Sequence, residues 1–267
     1  MKTISAETTS GSCELPLPIR FVSDWHLGHP ASRVRAIEQV CHLLDGVGSL
    51  VMVGDGREEL VEKWRPEADR LWRELQEACE ERGVTFLALT GNHDPSASGE
   101  GWLRLLDGRL FVTHGDMIYD TTSPWSKELF VKREQVSELL GCRDCQTILE
   151  RWQCSREIGI MLRPPPRLAP SLLGYLKLAL WPPERLVEVV KVWAGFAKEG
   201  ACFLERFAPE AEILICGHFH RPGRFRVGQR VVWNTGSLMK MSRGLALTFD
   251  GETITKSKIV PSVCSSV

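Results

Sequence analysis

Five short polar clusters stand in this order along the 267-residue chain: Asp24-Trp25-His26, Gly54-Asp55, Gly91-Asn92-His93-Asp94, His114-Gly115-Asp116 and Gly217-His218-Phe219-His220. Each sits just after an apolar run, namely Ile19–Val22, Leu50–Val53, Phe86–Leu89, Leu110–Val112 and Ile213–Cys216. Short β-branched and aromatic runs that end in Gly or a polar residue read as buried strands. In open α/β sheets the space beyond the carboxyl ends of the strands is where ligands bind, so side chains at those ends can converge. The residue types are those of a metal centre: Asp24, Asp55, Asn92 and the histidines are hard or borderline ligands. Of the seven histidines in the chain, five fall in these clusters, which points to chemistry there and not to scattered surface use. His29 and His42 are the others; the first is expected at the surface and the second inside a helix.

Bulk properties narrow the class. A hydrophobic content of 43% and a charged content of 25% are those of a globular protein with a sizeable core. The net charge of −1 gives no general pull toward nucleic acid or anionic lipid, so any such preference must come from a local patch. The first 18 residues are polar and lack the apolar core of a signal peptide, and no apolar stretch is long enough to span a bilayer. A cytoplasmic protein is expected. The nine cysteines are an odd number in a long chain and suggest reduced thiols. Cys142, Cys145 and Cys154 include a C-x-x-C but have no fourth ligand nearby, and their role stays open.

Along the chain, residues 1–18 are expected to be a disordered N-terminal segment and 261–267 a frayed tail. An amphipathic helix is predicted over Ser32–Leu44 and another from Glu58 to Arg82, punctuated by Pro66 and closed by Gly83. Gly101–Leu106 reads as helical or looped. Segments 19–116 and 211–260 form the core, whose last part is a β meander with hairpin turns at Val227–Arg230 and Phe249–Glu252. The intervening 117–210 is too long for a loop. It reads as a helical cap insertion with helices at Ser126–Leu140, Gln146–Leu162, Ser171–Leu180 and Pro183–Phe207, broken by Pro164-Pro165-Pro166.

The ordered set D-x-H, G-D, G-N-H-[DE], H and G-H-x-H resembles the signature of the calcineurin-like metallophosphoesterase superfamily, from about Ile19 to Phe249 apart from the insertion. The resemblance implies an α/β fold, a four-layer α/β/β/α sandwich, with two divalent metal ions at its edge. It implies Asp55 as the bridging carboxylate, Asp24, His26 and His220 around one ion, and Asn92, His114 and His218 around the other. It implies hydrolysis of a phosphodiester or pyrophosphate bond by in-line attack of metal-bound hydroxide, with His93 as the catalytic histidine and Glu58 as the acid that orients it. Manganese is expected from ligand hardness; iron and zinc also suit the set. Asp94 and Asp116 are expected to hold ligands or turn amides, and Asn234–Ser237 resembles a site-facing turn.

The substrate is less constrained. One branch of the superfamily, the UDP-2,3-diacylglucosamine pyrophosphatases, is similar in its helical insertion, in the acid at Glu58 and in the run Gly217–Pro222. That similarity implies a nucleotide-linked lipid, with Arg221, Arg163 and Arg167 as phosphate contacts and an apolar cap that touches acyl chains or a membrane surface. His93 and Gly56-Arg57 depart from that branch. The alternative is a nuclease or cyclic-nucleotide-type phosphodiesterase, since Ser23–Gly28 also resembles the opening motif of repair nucleases. A noncatalytic scaffold of the same fold is the remaining class; it would be marked by loss of a ligand or of His93, and both are present.

Overall fold

A computed structural model describes residues 2–124, 126–141, 144–162 and 183–262. Two sheets carry the chain. One has five strands, β3 (Ile19–Val22), β4 (Ser49–Val53), β5 (Thr85–Leu89), β11 (Leu245–Phe249) and β12 (Ile254–Lys258), in the order β12-β11-β3-β4-β5. The other has seven, β1 (Thr3–Thr8), β2 (Gly11–Pro16), β6 (Trp102–Leu105), β7 (Leu110–Thr113), β8 (Ile213–Cys216), β9 (Gly223–Val227) and β10 (Arg230–Asn234), in the order β2-β1-β6-β7-β8-β10-β9. The strands β3, β4 and β5 run parallel, as do β7, β8 and β10.

The layers follow from where the apolar side chains go. Phe21, Val51, Val53 and Phe249 of one sheet meet Leu103, Leu110, Val112 and Ile215 of the other and form the central core. Helix α1 (Arg65–Glu81) buries Leu71, Trp72 and Leu75 against Val22, Leu50 and Met52 on the outside of the five-stranded sheet. On the far side, Phe196, Phe203 and Leu204 of the long helix at Pro183–Phe207 pack on Phe111, Leu214 and Val232 of the seven-stranded sheet. The four-layer α/β/β/α sandwich expected from the sequence is the observed architecture.

Several local expectations are corrected. Residues 3–16 are not disordered: β1 and β2 form a hairpin whose Ala6 and Leu15 are buried on the central core, and β1 pairs with β6. Over Ser32–Leu44 the chain makes only two 3₁₀ turns, Ile37–Gln39 and Cys41–Leu44, because Ser32 and Arg33 are tied sideways, Ser32 Oγ to the Trp25 carbonyl and the Arg33 amide to that of Leu238. His42 is accordingly exposed in a 3₁₀ turn and not held in a helix. Helix α1 starts at Arg65, with Pro66 in its first turn, where a missing N–H is harmless. Gly101–Leu106 contains strand β6, whose Trp102, Leu103 and Leu105 are buried.

In the insertion, α2 (Lys127–Gly141) and α3 (Ile148–Met161) share a small core of Leu129, Val136, Cys145, Cys154 and Ile158. Thr147 and Glu150 form a capping box at the start of α3. Helix α4 (Pro183–Phe207) does two jobs: its second half is the sandwich's outer layer, so the expected boundary at residue 210 divides the wrong elements. The predicted helix at Ser171–Leu180, the triple proline, Arg163, Arg167 and Cys142 lie outside the described residues.

Candidate metal centre

Asp24 and His26 follow β3, Asp55 follows β4, and Asn92 and His93 follow β5; His114 follows β7, and His218 and His220 follow β8. All seven candidate ligands therefore come from carboxyl ends of parallel strands, four after three strands of one sheet and three after two strands of the other. Their ligand atoms fall into groups within 4.8 Å of one another: Asp24, His26 and His220; His26, Asp55 and His93; and Asp55, His114 and His218. Asp55 is shared by the second and third groups, and His26 by the first and second. The Asn92 Oδ1 is 3.3 Å from His114 Nε2.

Hydrogen bonds fix which ring nitrogen each histidine offers. Glu58 is buried and its carboxyl is held well below the usual range: burial pushes it up, but the charges of His93 and His26 and their hydrogen bonds outweigh that. Being ionised, it can only accept. His26 Nδ1 donates to Glu58 Oε1 at 2.9 Å, and His93 Nδ1 donates to Oε2 at 3.1 Å. His114 Nδ1 donates to the Val53 carbonyl at 3.0 Å, and His218 Nε2 donates to the Thr122 carbonyl at 2.9 Å. His26, His114 and His218 thus each commit one nitrogen to an acceptor and leave the other's lone pair aimed inward. The His26 Nε2 is buried with no hydrogen-bond partner and stands 3.9 Å from both Asp24 Oδ1 and Asp55 Oδ2. An unpaired buried ring nitrogen between two carboxylates is costly unless a cation completes it. The donor set fits divalent metal.

Electrostatics agree. Burial raises the Asp55 carboxyl, but His114 and His93 bring it well below the ordinary carboxylate value. Burial beside His114 drives His218 down to about 3, which keeps it a neutral ligand. Burial lowers His114, while Asp55 lifts it well above the ordinary histidine value; a bound cation would supply that positive charge in place of a proton.

The glycines in the motifs have a steric reason. A Cβ on Gly91 would run into Asp55, and one on Gly217 into Asp24 and Ser23, so neither loop could approach its carboxylate with any other residue. The ligand loops are also bent: Asp24 (φ 53), His26 (φ 47), Asp55 (φ 50), His218 (φ 64) and His220 (φ 52) all have left-handed backbone. Such conformations in non-glycine residues concentrate at functional sites. Nothing in the sequence announces them.

Asp94 accepts from the amides of Asp55, Gly56, Arg57 and Gly91 at 2.8–3.3 Å, which ties the second and third ligand loops together. Asp116 accepts from Ser155 Oγ of α3 at 2.8 Å and so fastens the insertion to the core. Asn234 donates to the Gly217 carbonyl and braces the last ligand loop. His29 is half-buried, in edge contact with Trp64 at 4.5 Å, and not fully at the surface as expected. Arg221 does not line the central cavity; its guanidinium donates to the Trp193 carbonyl and lies 5.2 Å from the Phe225 ring. That cavity, about 230 Å³, is walled by His26, Asp55, Asn92, His93, His218 and His220 and closed by Ser123, Phe219, Val189 and Trp193. The last two belong to α4, and nothing in the residues of that helix announces that it both roofs the cavity and backs the sheet.

Residues 17–222 match the calcineurin-like phosphoesterase family, and the chain belongs to that family. It is a metal-dependent phosphoesterase, a hydrolase of phosphate esters that binds divalent metal. Among solved structures, a dimetal phosphatase from Danio rerio shares 11% identity over 93% of this chain and 100% of its own, at a TM-score of 0.45. A Vps29 mutant from Entamoeba histolytica shares 15% over 91% of this chain and 93% of its own, at 0.41. At these values neither bears on function. None of the curated proteins compared with the chain matches it.

Proposed function

We propose that the chain is a dinuclear phosphohydrolase that cleaves a phosphodiester or pyrophosphate bond in the cavity beneath α4. What carries the reading is the set of three histidines with one nitrogen committed outward and the other turned toward Asp24 and Asp55. Asp24, His26 and His220 would hold one ion, Asn92, His114 and His218 the other, with Asp55 between them. Such a pair supplies Lewis-acid activation of water and charge neutralisation at phosphorus.

The chain's own residues do the rest. His93, with 31% of its side chain exposed to the cavity, donates a proton to the leaving oxygen; a positioned general acid contributes roughly 10²–10⁴-fold. Glu58 fixes that imidazole by its Nδ1 and leaves Nε2 as the donor. Val189 and Trp193 exclude water from one side.

The finer reading follows from chemistry at the site and its roof. Manganese suits the oxygen ligands Asp24, Asp55 and Asn92. A nucleotide-linked lipid, as in UDP-2,3-diacylglucosamine pyrophosphatases, suits the apolar face of α4, where Leu186, Val187 and Val190 are 46–57% exposed on the helix that roofs the cavity. The same face would let a cytoplasmic enzyme touch a membrane peripherally; no helix among the described residues is long and apolar enough to cross one. The test is turnover of UDP-2,3-diacylglucosamine by manganese-loaded protein, with His93→Ala as control and products identified by mass. Release of UMP and the acylated sugar phosphate is expected. Cleavage of a generic phosphodiester with no such release would overturn the lipid substrate and keep the hydrolase.

A further inference from the structure

The near-neutral chain conceals a one-signed rim. No Asp or Glu occurs from Trp25 to Ile37 or from Ile213 to Phe249, yet these stretches carry Arg33, Arg35, Arg221, Arg224, Arg226, Arg230, Lys240 and Arg243. The fold brings the relevant parts together beside the Asp24–His26–His220 group. The Leu238 amide donates to the Asp24 carbonyl, the Arg33 amide to that of Leu238, and the Lys240 amide to that of Ala31. Ser32 and Met239 form a β-bridge, and Ser242 Oγ donates to the His220 carbonyl at 3.3 Å. The Arg35 guanidinium is seated on the carbonyls of His29 and Pro30, just after the first ligand loop.

Four cations, Arg33, Arg35, Lys240 and Arg243, are thus anchored by backbone next to one end of the ligand cluster. Arg35, Lys240 and Arg243 are exposed and Arg33 is half-buried. None of the four forms an ion pair among the described residues. The carboxylate that feels Arg35 is Glu67, which is already bound to Arg70. Met241, between Lys240 and Arg243, is 96% exposed, so this loop projects into solvent. Arg33, Lys240 and Arg243, without an ion pair among the described residues, and Arg35, which is felt by the already paired Glu67, stand on the segments tied to the first and last ligand loops and give that side of the site a positive potential.

We infer that this rim binds phosphate groups of the substrate other than the one cleaved, so that the enzyme acts on ligands with several phosphates in series. The inference rests on the hydrolase reading above but not on its lipid. Two sources share the chemistry: a single-stranded nucleic acid, or a nucleotide whose second phosphate reaches the rim.

The experiment is binding to the metal-loaded His93→Ala protein, which separates affinity from turnover. A fluorescein-labelled oligothymidylate is followed by anisotropy as monovalent salt is raised fourfold, and UDP-N-acetylglucosamine is followed by calorimetry. Four phosphate contacts on a single strand, one for each cation, give a slope of about −3 in log affinity against log salt, or roughly 50-fold weaker binding across that range. The double variant Lys240→Ala/Arg243→Ala, confined to the exposed loop, should flatten the oligonucleotide slope by about 1.4. A rim that serves a nucleotide instead shows no such slope with the oligonucleotide but loses about tenfold or more in UDP-N-acetylglucosamine affinity in the double variant. An oligonucleotide salt slope that is absent or unchanged by the double variant, together with nucleotide affinity unmoved by it, would overturn the inference even where wild-type protein hydrolyses a small ester. Salt-dependent binding that the double variant flattens, in a protein whose wild type hydrolyses nothing, would leave the rim standing and refute the hydrolase.

Discussion

Exchanging Glu58 for Gln keeps the side chain's shape while removing its charge and one of its two acceptor atoms. The carboxylate accepts from His26 Nδ1 at 2.9 Å and from His93 Nδ1 at 3.1 Å. An amide offers one oxygen and one NH₂, so one of the two imidazoles must turn its Nδ1 into an acceptor and move its proton to Nε2. If that ring is His26, the nitrogen between Asp24 and Asp55 loses the lone pair it would offer an ion, and metal affinity should fall. If it is His93, the ring is no longer held as an imidazolium and becomes a weaker acid. Either way a charge-assisted hydrogen bond worth about 1.5–3 kcal/mol is lost, which corresponds to roughly 10- to 150-fold. Metal affinity by calorimetry and kcat by steady-state turnover locate the loss. A fall in affinity assigns it to His26, and a fall in kcat at saturating metal assigns it to His93. A variant within about twofold of wild type on both, with an unchanged circular dichroism spectrum, would refute the two-handed role of Glu58.

Gly217→Ala places a methyl against Asp24 and Ser23 and should weaken metal binding without altering the distant helices; unchanged metal stoichiometry and thermal midpoint would contradict the packing argument. Chelated protein should be most stable in a bounded pH window. Glu58 is depressed in the fold, so its contribution is full above the ordinary 4.5 and is lost as pH falls through the folded value. Burial lowers His93, but Glu58 and Asp55 lift it to about 10, so its contribution is full below 6.5 and is lost as pH rises toward 10; solvent at the exposed part of the ring screens that contribution. Calorimetry of the metal-free protein should therefore show its highest midpoint between about 4.5 and 6.5, and a midpoint that still climbed from pH 7 to 10 would show the sign to be wrong.

The candidate ligands were legible because each lies within a few residues of the end of a buried strand, and a parallel sheet puts such positions at one edge. Glu58 was legible only as far as His93; its second hand, on His26, depends on the Asp24 and Asp55 loops being latched, with the His26 amide on the Asp55 carbonyl. The N-terminal hairpin stayed hidden because β1 and β2 bury little more than Ala6 and Leu15, too thin an apolar pattern to stand out from a polar tail. The Ser32–Leu44 segment misled in the opposite direction. Val34, Ile37, Val40 and Leu44 are all buried as a helix face would be, but long-range ties at Ser32 and Arg33 hold the backbone in short turns. Periodicity reports which side chains are buried, not which backbone carries them.

The left-handed backbone at Asp24, His26, Asp55, His218 and His220 would tie this chain's stability to metal supply. Each such residue costs about 1–2 kcal/mol, a sum comparable with the roughly 5–15 kcal/mol that holds a domain folded. Ions that bind only the bent loops offset that sum by mass action. In a metal-starved cell the chain would spend more time open and be removed by proteases, so idle, ion-free copies would not accumulate to compete with working ones for substrate.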